Sequence, residues 1–542
     1  MKKSQLLILL LSTILIINCG GGGTTYAPEV NVSPDANQNN PPELPDDNTQ
    51  TPDDTTQETD NEDPLVIDKN LACESLINDP KVNWYESGLT SDQDIIACLA
   101  NSLGKPIGFG ENATGGYDAN GASKLIVIKH NNQTTIEQQV LDAVSSDEYR
   151  WIVFDKDDFA ENVDIAMYRL QCDNTSVKNA LGGATEAECL DHKTWCDNNN
   201  ISVSHCDSEF FNKRLNNASL PIRNIEIGSN TTIDGRMSKV TFRFNGFVIG
   251  KDSNGAAVTT ANNIILSHLN FIGAGHTEDH ELDPDMLRTT GESHDVWIHK
   301  NTFDLTGDSA FDVKVGAYNI TMSFNRIYDV KRSSLHGSSD SRTINSQITT
   351  TMHHNAFITR NEQYFTFGNT ARRVPLLRRG KSHIFNNVFI HYRKSIFSVR
   401  VGAYLQFTDN IIAINQNFQE KDSLDASLNE LAEKMFEVKE GTLNPEHTAI
   451  WFTNDNCLLL DNTKRDLSYH AALSGSSAGS EGNLSLLYND HSQAMLNTHY
   501  QAAGQNLMDY VLWAAGNSSI KPLNATNTTN FNSGDFAAMD CQ

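Results

Sequence analysis

From residue 240 to residue 414, apolar and polar residues alternate in short runs, each gathered around an asparagine. The pattern recurs as Phe242-Arg243-Phe244-Asn245, Leu269-Asn270-Phe271, Lys300-Asn301-Thr302-Phe303, Phe324-Asn325-Arg326-Ile327, His354-Asn355-Ala356-Phe357, Asn386-Asn387-Val388-Phe389 and Asp409-Asn410-Ile411-Ile412. Successive asparagines at 245, 270, 301, 325, 355, 387 and 410 lie 25, 31, 24, 30, 32 and 23 residues apart. Alternation with period two is the signature of a strand, and short strands recurring at this spacing predict the stacked coils of a β-solenoid. The asparagine suits such a stack, because each amide can hydrogen-bond to its equivalent on the next coil. Asparagine also tolerates the left-handed backbone of a tight corner. Uneven steps predict loops of different length leaving the coils, the usual place for a solenoid's binding site.

The flanks carry other periods. Asp92 to Leu103 reads as a short helix able to cap the open N-terminal end of the solenoid core, whose bare edges would otherwise pair with other chains. Leu424, Leu428, Leu431, Met435 and Val438 fall at helical spacing and predict a packed surface helix over Ser423 to Lys439. Asn517 to Asn532, rich in Asn, Thr and Ser, reads as coil lying over the solenoid.

Composition divides the chain before the repeat begins. Met1-Lys2-Lys3 followed by the apolar Leu6 to Ile17 is too short to span a bilayer and reads as an export signal. Cys19, followed by Gly20 to Gly23, is the expected lipidated N-terminus of a lipoprotein, with ordinary secretory cleavage that removes Cys19 as the alternative. Residues 20–65 form an acidic linker unable to bury a core: Thr24 to Pro64 holds eleven acids and no Lys or Arg. Residues 66–542 are then the folded domain. The expected location is the outer membrane or cell surface, or the medium, with the membrane reached only through the lipid.

The 542 residues carry a formal charge of −27, which argues against a general nucleic-acid binder. Nine cysteines less Cys19 leave Cys73, Cys98, Cys172, Cys189, Cys196, Cys206, Cys457 and Cys541, an even set that suggests disulfides in an exported chain. Among Cys172, Cys189, Cys196 and Cys206 all three pairings stay open, with a zinc site as the rival. Cys457 and Cys541 suggest a bridge holding the C-terminal coil.

Two charge clusters carry the candidate chemistry. Asp283 with Asp285, and Asp308 with Asp312, are carboxylate pairs that project from one face when the chain is extended. On adjacent coils they would form one acidic pocket, and an all-oxygen set in an exported protein favours calcium over zinc; solvated surface acids are the bland alternative. Between Arg360 and Arg400 stand nine bases, Arg372, Arg373, Arg378 and Arg379 among them, against the single acid Glu362. Lys314 and the pair Lys331-Arg332 belong to neighbouring coils. Guanidinium groups grip carboxylates bidentately, so cations beside a calcium site describe a groove for a polymer of repeated carboxylates. His299, His336, His353, His354 and His383 read as structural. No G-x-S-x-G, H-E-x-x-H or G-x-x-x-x-G-K-[ST] string is present.

From about Gly108 to Ile414 the chain resembles the pectate lyases of polysaccharide lyase family 1. The resemblance rests on Gly108-Phe109-Gly110 with Thr114-Gly115-Gly116, on Asn230 to Gly235, on Asp283-Pro284-Asp285-Met286-Leu287-Arg288, on Val296-Trp297-Ile298, on Asp308 to Lys314, and on Arg373-Val374-Pro375-Leu376-Leu377-Arg378. It implies an all-β, right-handed parallel β-helix with an N-terminal helical cap and long surface loops, acting as a monomer. It also implies calcium-dependent β-elimination of polygalacturonate, with Asp283, Asp285, Asp308 and Asp312 as calcium ligands and Arg373 as the catalytic base. Lys314, Arg332 and Arg378 would hold substrate carboxylates. A free arginine is ordinarily never deprotonated, so that base requires a strongly cationic surrounding.

The chain departs from the family pattern in three places. Trp297-Ile298-His299-Lys300 replaces the usual W-I-D-H, Asp308 stands where Glu is common, and Arg332 where Lys is common. The stretches Cys172 to Cys206 and Gln416 to Asn454 fall outside the resemblance. The competing readings are a pectin lyase acting on methylated polymer without calcium, a silent β-helix that binds acidic polysaccharide, and a β-helical glycoside hydrolase.

Overall fold

In the computed structural model the described residues are 68–278, 282–360, 371–392, 395–414, 435–439, 450–454, 456–460, 463–465 and 505–517. All belong to one compact unit, Val66–Gln542. Cys19, Arg393, Lys394 and Cys541 lie outside them, as does most of the expected helix over Ser423 to Lys439; of that stretch the described Phe436–Lys439 is a strand.

Each coil contributes one short strand to each of three sheets. Asn262–Ser267, Asn270–Ile272 and Leu287–Thr289 make one coil, and His294–His299, Thr302–Asp304 and Phe311–Val313 the next. Neighbours within a sheet are mostly three strands apart in sequence and pair in parallel, the β-solenoid that the repeat predicted and, in form, the right-handed parallel β-helix that the resemblance implied. Among the described residues the sheets hold ten, ten and eight strands.

Parallel register stacks equivalent side chains. In the second sheet Phe242, Phe271, Phe303, Ile327, Phe357 and Phe389 occupy one inward column. Phe271 and Phe303 lie 5.0 Å apart ring to ring, as do Phe357 and Phe389. These rings are fully buried, each worth about 1.5–3 kcal/mol over exposure.

The asparagine ladder is real but shifted. Asn325 accepts from the backbone N–H of Asn301, Asn355 from that of Asn325, Asn387 from that of Asn355, Asn410 from that of Asn387, and Asn456 from that of Asn410, all at 2.9–3.0 Å. Asn245 and Asn270 do not join. Asn270 pairs in register with Thr302, one residue past the ladder position, and its amide goes to the Val240 carbonyl, whereas that of Asn245 goes to the Arg223 carbonyl. The left-handed corner is also not the asparagine's own. It falls one residue before the ladder position, at His268, which precedes Leu269, and at Lys300, Phe324, His354, Asn386 and Asp409, with φ of 51–55°.

Three helices close the N-terminal region. α1 (Lys69–Asn78) and α2 (Asp92–Leu103, as expected) are joined by the Cys73–Cys98 disulfide. Ser91 caps α2 by accepting from the Asp94 N–H, and Gly104 ends it at φ 80°. α2 does not plug the core, however; its apolar face packs on Leu125, Trp151 and Val153, a cluster separate from the central core. The plug is α3 (Ile136–Val144), whose Val140, Ala143 and Val144 join the central core beside Ile128 and Ile227, on the end strands of the first and third sheets.

The cysteine-rich stretch folds as short helices over Thr175–Ala180, Glu186–Leu190, His192–Asn198 and Val203–Asp207. Cys172–Cys189 and Cys196–Cys206 staple it, which removes the zinc alternative, and its own small core packs on Phe244. Cys457 is disulfide-bonded, and its expected partner Cys541 lies outside the described residues.

Replacing Asn355 by Ala strands the Asn325 N–H and the Met322 carbonyl inside the stack. Chemical denaturation should show Asn355→Ala losing about 2–4 kcal/mol and Asn245→Ala, outside the ladder, about 1 kcal/mol.

Candidate active site

The third sheet brings the candidate residues together: its strands are two to four residues long, and alternate residues face the core. Leu287, Thr289, Phe311 and Val313 fill the core, which turns Arg288 and Asp312 outward, in register with one another. Asp283 and Asp285 sit in the turn before Leu287–Thr289, Asp308 before Phe311–Val313, and Lys314 just after it. Arg332 precedes Leu335–His336, Arg373 precedes Leu376–Arg378, and Arg378 pairs in register with Arg400. Every expected site residue therefore lies on this sheet or in the turns that feed it.

The structure gathers three of the four expected metal ligands. Asp283, Asp285 and Asp308 each present a carboxylate oxygen within 4.8 Å of the others. Asp312 stands aside: one of its oxygens accepts from the Leu335 N–H at 2.8 Å and the other faces Lys314 Nζ at 3.0 Å. Lys314, which also meets Asp283 and Asp285, links it to the trio.

Two cations are inserted among the carboxylates. Lys314 Nζ reaches Asp283 at 2.6 Å and Asp285 at 3.1 Å, so it is tied to the metal set before any substrate arrives. Arg288, quoted in the motif string but given no role there, places Nη2 at 2.7 Å from Asp283 and 3.0 Å from Asp285. Burial works against both charges, yet Asp285 and its neighbours outweigh it and hold Lys314 and Arg288 well above their ordinary range. Burial first and then Asp312 push Asp285, fully buried, upward, while Lys314 and Arg288 oppose them. The three carboxylates are all hard oxygen donors, the donor type a divalent cation of the calcium kind takes, and Lys314 and Arg288 now neutralise Asp283 and Asp285.

The basic side is continuous. Arg332 and Arg372 form a parallel bridge through their backbones, and Arg373 follows, with its N–H donating to the Ser395 carbonyl. Burial pulls Arg373 below the ordinary arginine range; Asp308 and Asp312 oppose this, while Arg332 and Arg400 add to it. Among the described residues no carboxylate forms an ion pair with Arg373. The other two arginines are taken. Arg332 faces Asp308 at 3.4 Å and also binds Glu278, and Arg378 donates Nε to Asp340 at 2.6 Å. Glu278 and Asp340 carry no signal in the sequence, because nothing near them repeats with the coils.

The five histidines are core groups. His336 bonds Ser334 and Thr350 and is pushed by burial to about 3; His383 is likewise pushed to about 3. His353 and His354 are buried against each other. His299 packs on Trp297 and shares the Ser323 hydroxyl with it, so the departure from W-I-D-H belongs to the first sheet and leaves the site untouched.

Fold and site together define a parallel β-helix bearing a carboxylate cluster flanked by arginines on one sheet. Residues 194–432 match the family model for pectate lyase. The chain is 31% identical over 229 residues to a pectate trisaccharide-lyase of Bacillus licheniformis, covering 39% of this chain and 61% of that one. It is 32% identical over 165 residues to pectate lyase 1 of Pectobacterium carotovorum, covering 28% and 40%. A solved Bacillus subtilis pectate lyase aligns at 17% identity and a TM-score of 0.47, covering 77% of this chain and 98% of its own. The chain thus spans about three fifths of the B. licheniformis relative it matches. Over residues 194–432 the chain is similar to pectate lyases, the resemblance that the order of its motifs suggested.

The buried Asp285 makes stability depend on pH. A carboxylate whose folded pKa is raised contributes stability that is complete below the unfolded value of about 4 and is lost as pH climbs through the folded value. In chelator, thermal midpoints should therefore fall as pH rises above about 4. Asp285→Asn should flatten that decline, and an unchanged slope would contradict the assignment.

Proposed function

We propose that this chain is a calcium-dependent pectate lyase that cleaves polygalacturonate by β-elimination. The observation that carries the reading is Arg373: it lacks a described carboxylate partner, follows Arg372 in the turn before Leu376–Arg378, and is pulled below its ordinary range by burial, with Arg332 and Arg400 adding to that and Asp308 and Asp312 opposing it.

Asp283, Asp285 and Asp308 would hold calcium. When bound, the ion would neutralise a galacturonate carboxylate and so make the neighbouring C5 proton more acidic. Arg332 and Arg378 grip uronate carboxylates through planar guanidinium forks. Lys314 acts from within the Asp283–Asp285–Asp312 set, keeping its charge beside the same carboxylate. Arg373, in its neutral form, takes the C5 proton. The electrons of that bond form the C4–C5 double bond, the C4–O bond breaks, and the departing oxygen is protonated by solvent. No water attacks carbon, so the water-spaced pair of carboxylates used by an inverting glycoside hydrolase is not required. Because Arg373 must shed a proton, activity rises with pH into the alkaline range.

Purified chain given polygalacturonate at alkaline pH should generate the ultraviolet absorbance of an unsaturated sugar, and chelator should abolish it. Arg373→Ala should lower the rate by about 10²–10⁴-fold while calcium-dependent polymer binding persists. A flat trace for the unaltered chain with binding retained would make it a silent polysaccharide-binding β-helix. Activity on fully esterified polymer that survives chelator would make it a pectin lyase.

Export and anchoring through Cys19 belong to the same proposal, with the acidic linker as tether and a monomeric enzyme at the surface. Metabolic labelling with a radioactive fatty acid should mark the chain, and Cys19→Ser should abolish the label and release the protein from membranes.

A further inference from the structure

The two arginines assigned to substrate carboxylates are each already paired with a carboxylate of the chain itself. Glu278 binds Arg332, meets Lys331 Nζ at 2.7 Å and His276 Nε2 at 2.9 Å, and its side chain is still 60% exposed. Asp340 accepts from Arg378 Nε at 2.6 Å with its own side chain 36% exposed. They come from different connections. Glu278 lies between Asn270–Ile272 and the Asp283 turn, and Asp340 lies in the loop after Leu335–His336. Arg373, which must face the C5 proton, has no such partner among the described residues.

Resting on the lyase reading, we propose that Glu278 and Asp340 are built-in competitors that occupy the uronate-carboxylate subsites at Arg332 and Arg378 when no polymer is bound. A side-chain carboxylate and a uronate carboxylate present the same fork to a guanidinium, so substrate entry is an exchange of one ion pair for another. The arginines do not swing freely while they wait. Arg332 is also held by Asp308, and Arg378 donates Nη1 to the Gly337 carbonyl at 2.7 Å. Each guanidinium therefore keeps its place while its outward partner changes. The return of Glu278 and Asp340 opposes the hold of two arginines on a cleaved product, and that favours release from a groove of this charge. Exposed pairs are weak enough to be displaced by a polymer that offers many carboxylates at once.

The direction of the effect separates this role from a structural one. Glu278→Gln and Asp340→Asn, made singly, should each tighten trigalacturonate binding about three- to fivefold by calorimetry in calcium. The KM for polygalacturonate should fall in the same proportion, and product inhibition should deepen. Unchanged or weaker trigalacturonate binding in both variants, with thermal midpoints like those of the unaltered chain, would overturn the proposal. Should one variant fail to fold, the other, on a separate loop, decides alone. Calorimetry does not depend on turnover, so a chain that forms no unsaturated product would sink the lyase reading and still leave the exchange to be judged by the same binding shift.

Discussion

Everything in this molecule follows from one constraint: coils stacked in parallel register place equivalent residues about 4.8 Å apart, one above another. At that distance apolar side chains reward one another, and polar ones must find a partner on the adjacent coil or lose solvation. The phenylalanine column of the second sheet is the first outcome, and the ladder from Asn301 to Asn456 is the second. A ladder has a beginning, which is why the position before Asn270 is a leucine. Leu269 offers only its N–H to Asn301 and asks nothing of the coil below.

The same constraint makes the site. Carboxylates in the turns of two neighbouring coils arrive at one point whether or not their charges welcome it, and the chain answers with Lys314 and Arg288 beneath them. Farther along the sheet the stacking brings arginines together, and burial with mutual repulsion weakens the grip of Arg372 and Arg373 on their protons. A carboxylate trio and a reluctant cation thus stand on the same sheet. What the loops add are the carboxylates of Glu278 and Asp340.

Much of this was legible beforehand, for physical reasons. A period of 23 to 32 residues around an asparagine survives in the sequence because each coil must solve the same packing problem. The acidic and basic strings were visible because a chemistry spread over adjacent coils shows itself at the coil spacing. Other features were hidden because they depend on register at single-residue resolution. Asn245 and Asn270 look like ladder members and miss it by their offset, and the contacts of Asp312 with Lys314 and the Leu335 N–H have no sequence signal. α3 caps the core although α2 had the plainer helical pattern, because the end strands are reached from Ile136–Val144. The pairing of four cysteines within one short stretch has no sequence signature, and the structure resolves it as two local staples.

The central proposal is that stacked coils build one divalent-cation seat around Asp283, Asp285 and Asp308, the trio whose carboxylate oxygens lie within 4.8 Å of one another. Anomalous diffraction from crystals grown with a lanthanide in place of calcium tests this most directly. The account predicts a peak within bonding distance of those three carboxylates. A peak elsewhere on the chain, or none on the third sheet, would contradict it.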